Sequence, residues 1–300
     1  MSLPHAIDTK SPAKVAEVAD VLFARLGFRQ SAYLVDRLFQ DVTRMFAGKY
    51  PGYQAIDMVY HDLEHTLQTT VCLCQILEGR QAARARPLLG RRDCELMLAA
   101  MLLHDTGYLK RTGDRQGTGA KYTLVHVRRS GEFARDYLPS LGFSTDEITD
   151  VTTAISCTGP TNKLPAVFFR RPEARVIAMI VVTADYLGQM AAAEYVDELP
   201  ILFREFEEAY DFEGVPAAAR AFQSAPDLIR KTPAFWDKFV RPMLDDDLER
   251  VYRFIAPSAD GTNPYFTAVE HNIARVRAVA TAPDISLDPF PAPDRRATLA

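Results

Sequence analysis

The chain has 300 residues, of which 48% are hydrophobic and 25% charged, and its net charge is −4. That balance belongs to a globular protein and excludes a disordered chain, a collagen-like repeat and a disulfide-stapled miniprotein. The longest nearly unbroken apolar stretch, Val176 to Ala184, falls far short of the ~20 residues that cross a bilayer, so no membrane partner is expected. The opening MSLPHAIDTK lacks the basic-then-apolar pattern of a secretory signal. The four cysteines (Cys72, Cys74, Cys94 and Cys157) include no C-x-x-C pair and are too sparse for a disulfide framework, which fits a reducing cytoplasm. Charge is unevenly spread: eleven Lys or Arg against four Asp or Glu from Arg80 to Arg129, then eight acids against one base from Glu194 to Glu213. The basic run suits either an anionic ligand or a solvated helix face. It is neither domain-wide nor interleaved with aromatics, which argues against a nucleic-acid partner.

Helical periodicity dominates and alternating strand patterns are nearly absent, so the predicted fold class is all-α. Apolar residues at three- and four-residue intervals predict helices over 13–26 and 32–46. The next helix starts near Asp62 and buries Leu63, Leu67, Val71 and Cys74. Asp93 is the predicted N-cap of a helix from Cys94 to about His104, which is apolar nearly all round and therefore central, with Gly107 ending it. A glycine-rich polar loop over 111–121 leads into a helix over 122–137. Ser144 and Glu147 have the spacing of a capping box for a helix reaching about Ser156. Helices over 173–190, 196–210, 217–222, 234–244, 247–255 and 264–280 complete the pattern. The expected organisation is an N-terminal tail (1–12), one helical domain (13–281) and a proline-rich tail (282–300). Within that domain the chemistry falls at about 55–190, and 191–281 forms a helical extension.

Four of the six histidines lie between positions 61 and 126. His61 and His65 are separated by four residues, which on a helix places both on one side of a turn, a spacing used by metal sites and by ordinary surface histidines alike. His104-Asp105 ends the apolar segment LMLAAMLLHDTG. A carboxylate there is costly to bury unpaired and is disfavoured by the helix dipole, so it requires a positive partner or exposure in the loop. Asp185, inside VIAMIVVTADYLGQM, is a second carboxylate within an apolar helix. It must be neutralised, ion-paired or metal-bound. Histidine and carboxylate ligands from three helices would suit a divalent transition ion.

The order His65, His104-Asp105, Asp185 resembles the HD-domain superfamily of metal-dependent phosphohydrolases, a helical-bundle fold named for its His-Asp doublet; the resemblance covers about residues 55–190. Tyr60-His61 followed by His65 resembles the Tyr-His-Asn-x-x-His segment of the cyclic-nucleotide phosphodiesterase branch, which implies His61 as general acid and His65 as metal ligand. His126-Val-Arg-Arg-Ser-Gly131 resembles the later histidine of two-metal members. By that likeness His126 binds or flanks a second ion; the alternative is a histidine facing the phosphate site or solvent. The chain also departs from the pattern. No histidine occurs between His126 and His271, and Cys157 stands near the place of a further histidine, either as substitute ligand or as a small hydrophobe. The Gly-Tyr-Pro motif is missing, as is the Glu-Asp pair that follows the doublet in alarmone hydrolases.

The resemblance implies hydrolysis of a small-molecule phosphate ester, a nucleotide above all. His65, His104, Asp105 and Asp185 would hold one divalent ion (manganese, iron, magnesium, zinc or nickel), and Asp105 would bridge to a second. His61 and Asp105 would be catalytic. Lys110, Arg111, Lys121, Arg128 and Arg129 follow the doublet closely in sequence and are candidate phosphate contacts, and Gln189, one helical turn beyond Asp185, is the candidate base contact. The loop carrying Gly113, Gly117 and Gly119 is either a lid or a plain surface loop. Two other readings stand beside this one. One is an HD-type di-iron oxygenase; the other is a non-catalytic nucleotide- or protein-binding module whose partner surface is the acidic segment. A homo-oligomer is compatible with each.

Overall fold

A computed structural model of the protein describes residues 7–159 and 163–281, and these contain ten α-helices and no strand. In chain order the helices are α1 (Pro12–Arg25), α2 (Ala32–Phe46), α3 (Leu63–Ala82), α4 (Arg91–Leu103), α5 (His126–Tyr137), α6 (Thr145–Ser156), α7 (Pro172–Met190), α8 (Tyr195–Phe212), α9 (Ala225–Phe235) and α10 (Pro264–Ala280). The all-α class is therefore correct. The proline-rich tail over 282–300 and the first six residues of the expected N-terminal tail lie outside the described residues.

The two helices that are apolar round most of their circumference occupy the middle, because neither could satisfy a solvent face. From Cys94 to Leu103 every residue of α4 is buried, and α7 is buried over nearly its whole length. The broadest interhelical contact is between α3 and α7, and α4 packs against α2, α3, α6 and α7. Closest approach comes at Gly188 of α7, where an added Cβ would stand 2.7 Å from the Thr69 Cα of α3. Amphipathic α2 lays Val35, Leu38, Phe39, Val42, Met45 and Phe46 inward at helical spacing. On the other side α8, α9 and α10 pack on one another, and α10 also packs on α7. One apolar cluster runs from Val15 to Val276, with a small second one at Met58, Tyr108 and Ala120.

Several boundaries differ from the sequence expectation. The first turn of α4 starts at Arg91, and Asp93 acts from inside that turn, its carboxylate accepting from the Gly90 N–H at 2.8 Å. Gly107 does not end the helix; α4 stops at Leu103 and Gly107 sits in a buried 3₁₀ turn, Thr106–Tyr108. The segment over 122–137 becomes helical only at His126, because a 3₁₀ turn (Gly119–Tyr122) intervenes. The Ser144–Glu147 capping box is present as expected. Segment 217–222 yields only a 3₁₀ turn, Ala217–Ala219, whereas α9 was not expected. The helices expected over 234–244 and 247–255 are replaced by the end of α9, two π-helical turns (Trp236–Val240 and Met243–Asp247) and a 3₁₀ turn (Val251–Phe254). Pro233 and Pro242 each remove a backbone donor there, which favours such irregular helix.

Candidate metal centre

Asp62 determines where α3 begins: its backbone is extended and its side chain accepts the His65 N–H at 3.0 Å. His65 therefore projects from the first turn, whereas His61 lies before the helix. The two histidines do not share a helix face, contrary to the spacing argument. The chain curls so that their rings still meet, at 5.7 Å between centroids. His104 and Asp105 follow the last turn of α4, where the helix has just released the backbone. Asp185 projects from α7.

These residues converge. His65 Nε2 is 3.4 Å from Asp105 Oδ2 and 3.5 Å from Asp185 Oδ1; His104 Nε2 is 3.3 and 3.4 Å from the same two oxygens. One ligating atom from each of His65, His104 and Asp185 fits within 4.8 Å of the others. His104 Nδ1 donates to the Met101 carbonyl at 2.7 Å, which leaves Nε2 as the lone-pair nitrogen of the neutral ring. Both His104 Nε2 and Asp105 Oδ2 are buried with no hydrogen-bond partner. Such orphaned acceptors each cost about 1–3 kcal/mol. A cation between them would satisfy both, so the donor set fits a divalent ion. Without one, a proton takes its place: burial lowers the His104 pKa, but Asp105 and Asp185 outweigh it and raise it to about 9. Burial pushes both aspartyl carboxyls up, yet the neighbouring histidines hold them below their ordinary range.

His126, the first residue of α5, approaches the other oxygen of the same carboxylate, with Nε2 3.7 Å from Asp105 Oδ1. Its Nδ1 donates to the Thr123 carbonyl at 2.7 Å, and burial lowers its pKa. What places it there is Gly107. A Cβ at that position would lie 1.9 Å from the His126 carbonyl oxygen, so only glycine lets the turn after Asp105 touch the start of α5. The Gly107 N–H donates to Ser130 Oγ at 2.8 Å, completing the clamp. His104 and Asp105 are 2 and 3% exposed, whereas the side chains of His61, Asp185 and His126 are 12, 16 and 19% exposed. The cluster is open on that last side.

The sequence did not single out Glu205 or Tyr108 for this site. Glu205, in α8, is 5% exposed; its Oε2 lies 2.6 Å from His61 Nδ1 and its Oε1 accepts the Tyr60 N–H at 2.9 Å. Burial opposes charge on His61, but Glu205 outweighs it and raises the pKa. A signal was available. Leu202, Glu205 and Ala209 share a helical stripe, so Glu205 is a carboxylate on an inward face, as Asp185 is. Tyr108 stacks on His126 (4.5 Å, 11°) and on His61 (4.8 Å, 25°), fixing the planes of both rings.

The basic residues expected at the phosphate are engaged elsewhere. Lys110 Nζ donates to the Gly117 carbonyl (2.7 Å) and pairs with Asp57 (2.8 Å). Lys121 Nζ pairs with Asp114 (2.7 Å) and donates to the Gln116 carbonyl (2.6 Å). Arg129 donates to the Gly107 and Leu109 carbonyls at 2.7 and 2.8 Å, so it clamps the turn rather than a ligand. Arg128 is solvent-exposed and pairs with Glu132, while Arg111 lies over the Tyr53 ring. Gln189 lines a narrow cleft on the His65 side with Tyr60, Gln68 and Glu194. The glycine-rich loop is tied down by these lysines, by the Thr118 N–H and hydroxyl on Glu208 (2.5 and 2.6 Å) and by the Gly119 N–H on Asp57 (2.7 Å). That many anchors do not suit a lid. Cys157 lies outside the cluster, and burial pushes its thiol up to about 11, as a small apolar side chain rather than a thiolate ligand.

The fold and site thus define an all-α protein with a buried His/Asp cluster suited to a divalent cation. The chain belongs to the Npun_R2479-like family, whose sequence pattern matches residues 49–276 and so takes in every residue of the cluster. No curated protein matches it. No single helix among the described residues is long and apolar enough to cross a membrane; the pair α7 and α8 passes together by length and composition, but bends by 109° between them.

Proposed function

We propose that the protein is a metal-dependent phosphohydrolase of the HD type that cleaves a small phosphate ester, a nucleotide above all. The observation that carries this reading is the pair of buried, partnerless acceptors, His104 Nε2 and Asp105 Oδ2, facing His65 and Asp185. His65, His104, Asp105 and Asp185 would hold the ion, and His126 with the second oxygen of Asp105 would hold another. Bound there, a divalent ion supplies a water acidic near neutral pH and neutralises phosphoryl charge. The chain's own contribution begins with His61. Glu205 grips its Nδ1, orients the ring and favours the imidazolium, leaving Nε2 to give a proton to the departing oxygen. Tyr108, stacked on both His61 and His126, keeps the proton donor and the second ligand in register. Substrate would enter over the partly exposed His61–Asp185–His126 side. With the nearby lysines and arginines committed to carbonyls and carboxylates, phosphate recognition rests on the His/Asp cluster rather than on a basic clamp.

The test is elemental analysis of the purified protein beside Asp105→Ala, with hydrolysis of cyclic and linear nucleotides measured on both. One or two metal equivalents lost together with activity in the variant is the expected result. Hydrolysis surviving Asp105→Ala at near wild-type rate would overturn the assignment, and two irons with oxygen uptake would replace it with an oxygenase.

A further inference from the structure

A cavity of about 240 Å³, separate from the Gln189 cleft, lies between α7, the end of α6 and the irregular helix after α9. Val182 and Tyr186 of α7 form one wall, at positions three before and one after Asp185, so the cavity lies within one helical turn of the metal cluster. Cys157 and Gly159, past the end of α6, form another, and a Cβ added at Gly159 would stand 3.2 Å from the side chain of Val127, next to His126. The facing wall is the irregular helix after α9: Lys238 and Phe239 on one π-helical turn, Met243, Asp246 and Asp247 on the next. Helices of this kind are rare and concentrate at functional sites. Glu249 and Arg250, immediately after, both take positive φ (51° and 57°), a further local cost borne by the same wall.

The lining chemistry is specific. Tyr186, Phe235 and Phe239 form an aromatic group, with Tyr186 to Phe239 at 6.4 Å and Phe235 stacked on Phe239 at 5.2 Å. Of these, Tyr186 and Phe239 line the cavity, and with Met243 and Cys157 they make flat, polarisable walls. The mouth carries Lys163 and Lys238 beside Asp246 and Asp247, and among the described residues none of the four is in an ion pair. A partly apolar slot with unpaired charges of both signs at its rim matches a planar heterocycle that carries both amino or hydroxyl donors and carbonyl acceptors. We infer that this cavity seats the nucleoside part of a nucleotide whose phosphate lies at the His/Asp cluster, with the base against Tyr186 and Phe239, its amino and hydroxyl donors toward Asp246 or Asp247, and its carbonyl oxygens accepting from Lys163 and Lys238. This inference rests on the hydrolase reading for the role of the pocket, but not for its occupancy.

Binding is therefore measured in the Asp105→Ala background, where turnover is not required. The probes are the four common nucleoside 5′-monophosphates and glycerol phosphate, by calorimetry. At least one nucleotide binds, glycerol phosphate binds much more weakly, and Phe239→Ala weakens the nucleotide about tenfold or more, the usual worth of a base–aromatic stack. Lys238→Glu, on the exposed rim, weakens it severalfold without affecting folding. Absence of nucleotide binding at millimolar concentration, or equal affinity in Phe239→Ala and Lys238→Glu, would overturn the inference. Failure of the hydrolase reading shows separately, as Asp105→Ala protein that still turns over its substrate.

Discussion

Gly188→Ala tests whether the metal cluster depends on how closely two helices pack, because it alters no polar group. Thr69 is one turn beyond His65 on α3, and Gly188 is three residues beyond Asp185 on α7. The two backbones meet where an added Cβ would stand 2.7 Å from Thr69 Cα and 3.0 Å from Thr69 N, against 3.4 Å for ordinary contact. Backbone atoms cannot rotate away, so the helices must part by about 0.7 Å at that point. Alanine favours helix over glycine by about 1 kcal/mol, but overpacking costs about 1–3 kcal/mol, so the net effect is a loss. The same opening lengthens the 3.5 Å His65–Asp185 approach. Changes that disturb how metal ligands are held typically cost roughly 10–100-fold in affinity, and a loss of that order is expected here. The assay is urea unfolding with and without saturating Mn²⁺, alongside a metal titration. The control is Gly131→Ala, whose added Cβ meets nothing closer than 3.7 Å and should be neutral or stabilising. Wild-type stability and wild-type metal affinity in Gly188→Ala would refute the reasoning.

The other expectations concern single groups. His61→Ala should keep its metal but lose about 10²–10⁴-fold in turnover on poor leaving groups, with partial rescue by activated aryl phosphates; metal lost instead would make His61 a ligand. Glu205→Gln removes the charge that favours the His61 imidazolium, so the alkaline limb of the pH–rate profile, where the proton donor is lost, should move down in pH while metal content stays constant. An unmoved limb would detach Glu205 from the proton donor. Arg129→Ala should destabilise by about 1–3 kcal/mol through two orphaned carbonyls, and a selective rise in KM at unchanged stability would contradict the clamp. Lys121 holds the Asp114 carboxyl at about 2, and Arg92 holds that of Glu147 at about 2. Both are lowered from near 4, so their stabilisation is complete above that pH and is lost as pH falls toward 2. Asp114→Asn with Glu147→Gln should flatten the drop in urea midpoint between pH 5 and 3, and an unchanged drop would show that other groups carry it.

What was legible in the sequence is whatever depends on local periodicity or on the cost of a charge among apolar neighbours. The bounds of α2 and α10, the capping box on α6, the all-α class, and the anomaly of Asp105 and Asp185 are all of this kind, because helix period and desolvation act over a few residues. Chain proximity misled where it stood in for space. Lys110, Lys121 and Arg129 follow the doublet in sequence, yet each turns to nearby carbonyls, since a loop so rich in glycine needs its own anchors. His61 and His65 have helical spacing, but Asp62 caps the helix between them. Only the tertiary structure brought Glu205, 144 residues away, onto His61, and only it made Gly107 and Gly188 the close contacts that aim His126, His65 and Asp185 at one point. Such contacts depend on how helices cross, and a crossing is decided by the whole core at once rather than by any segment of the chain.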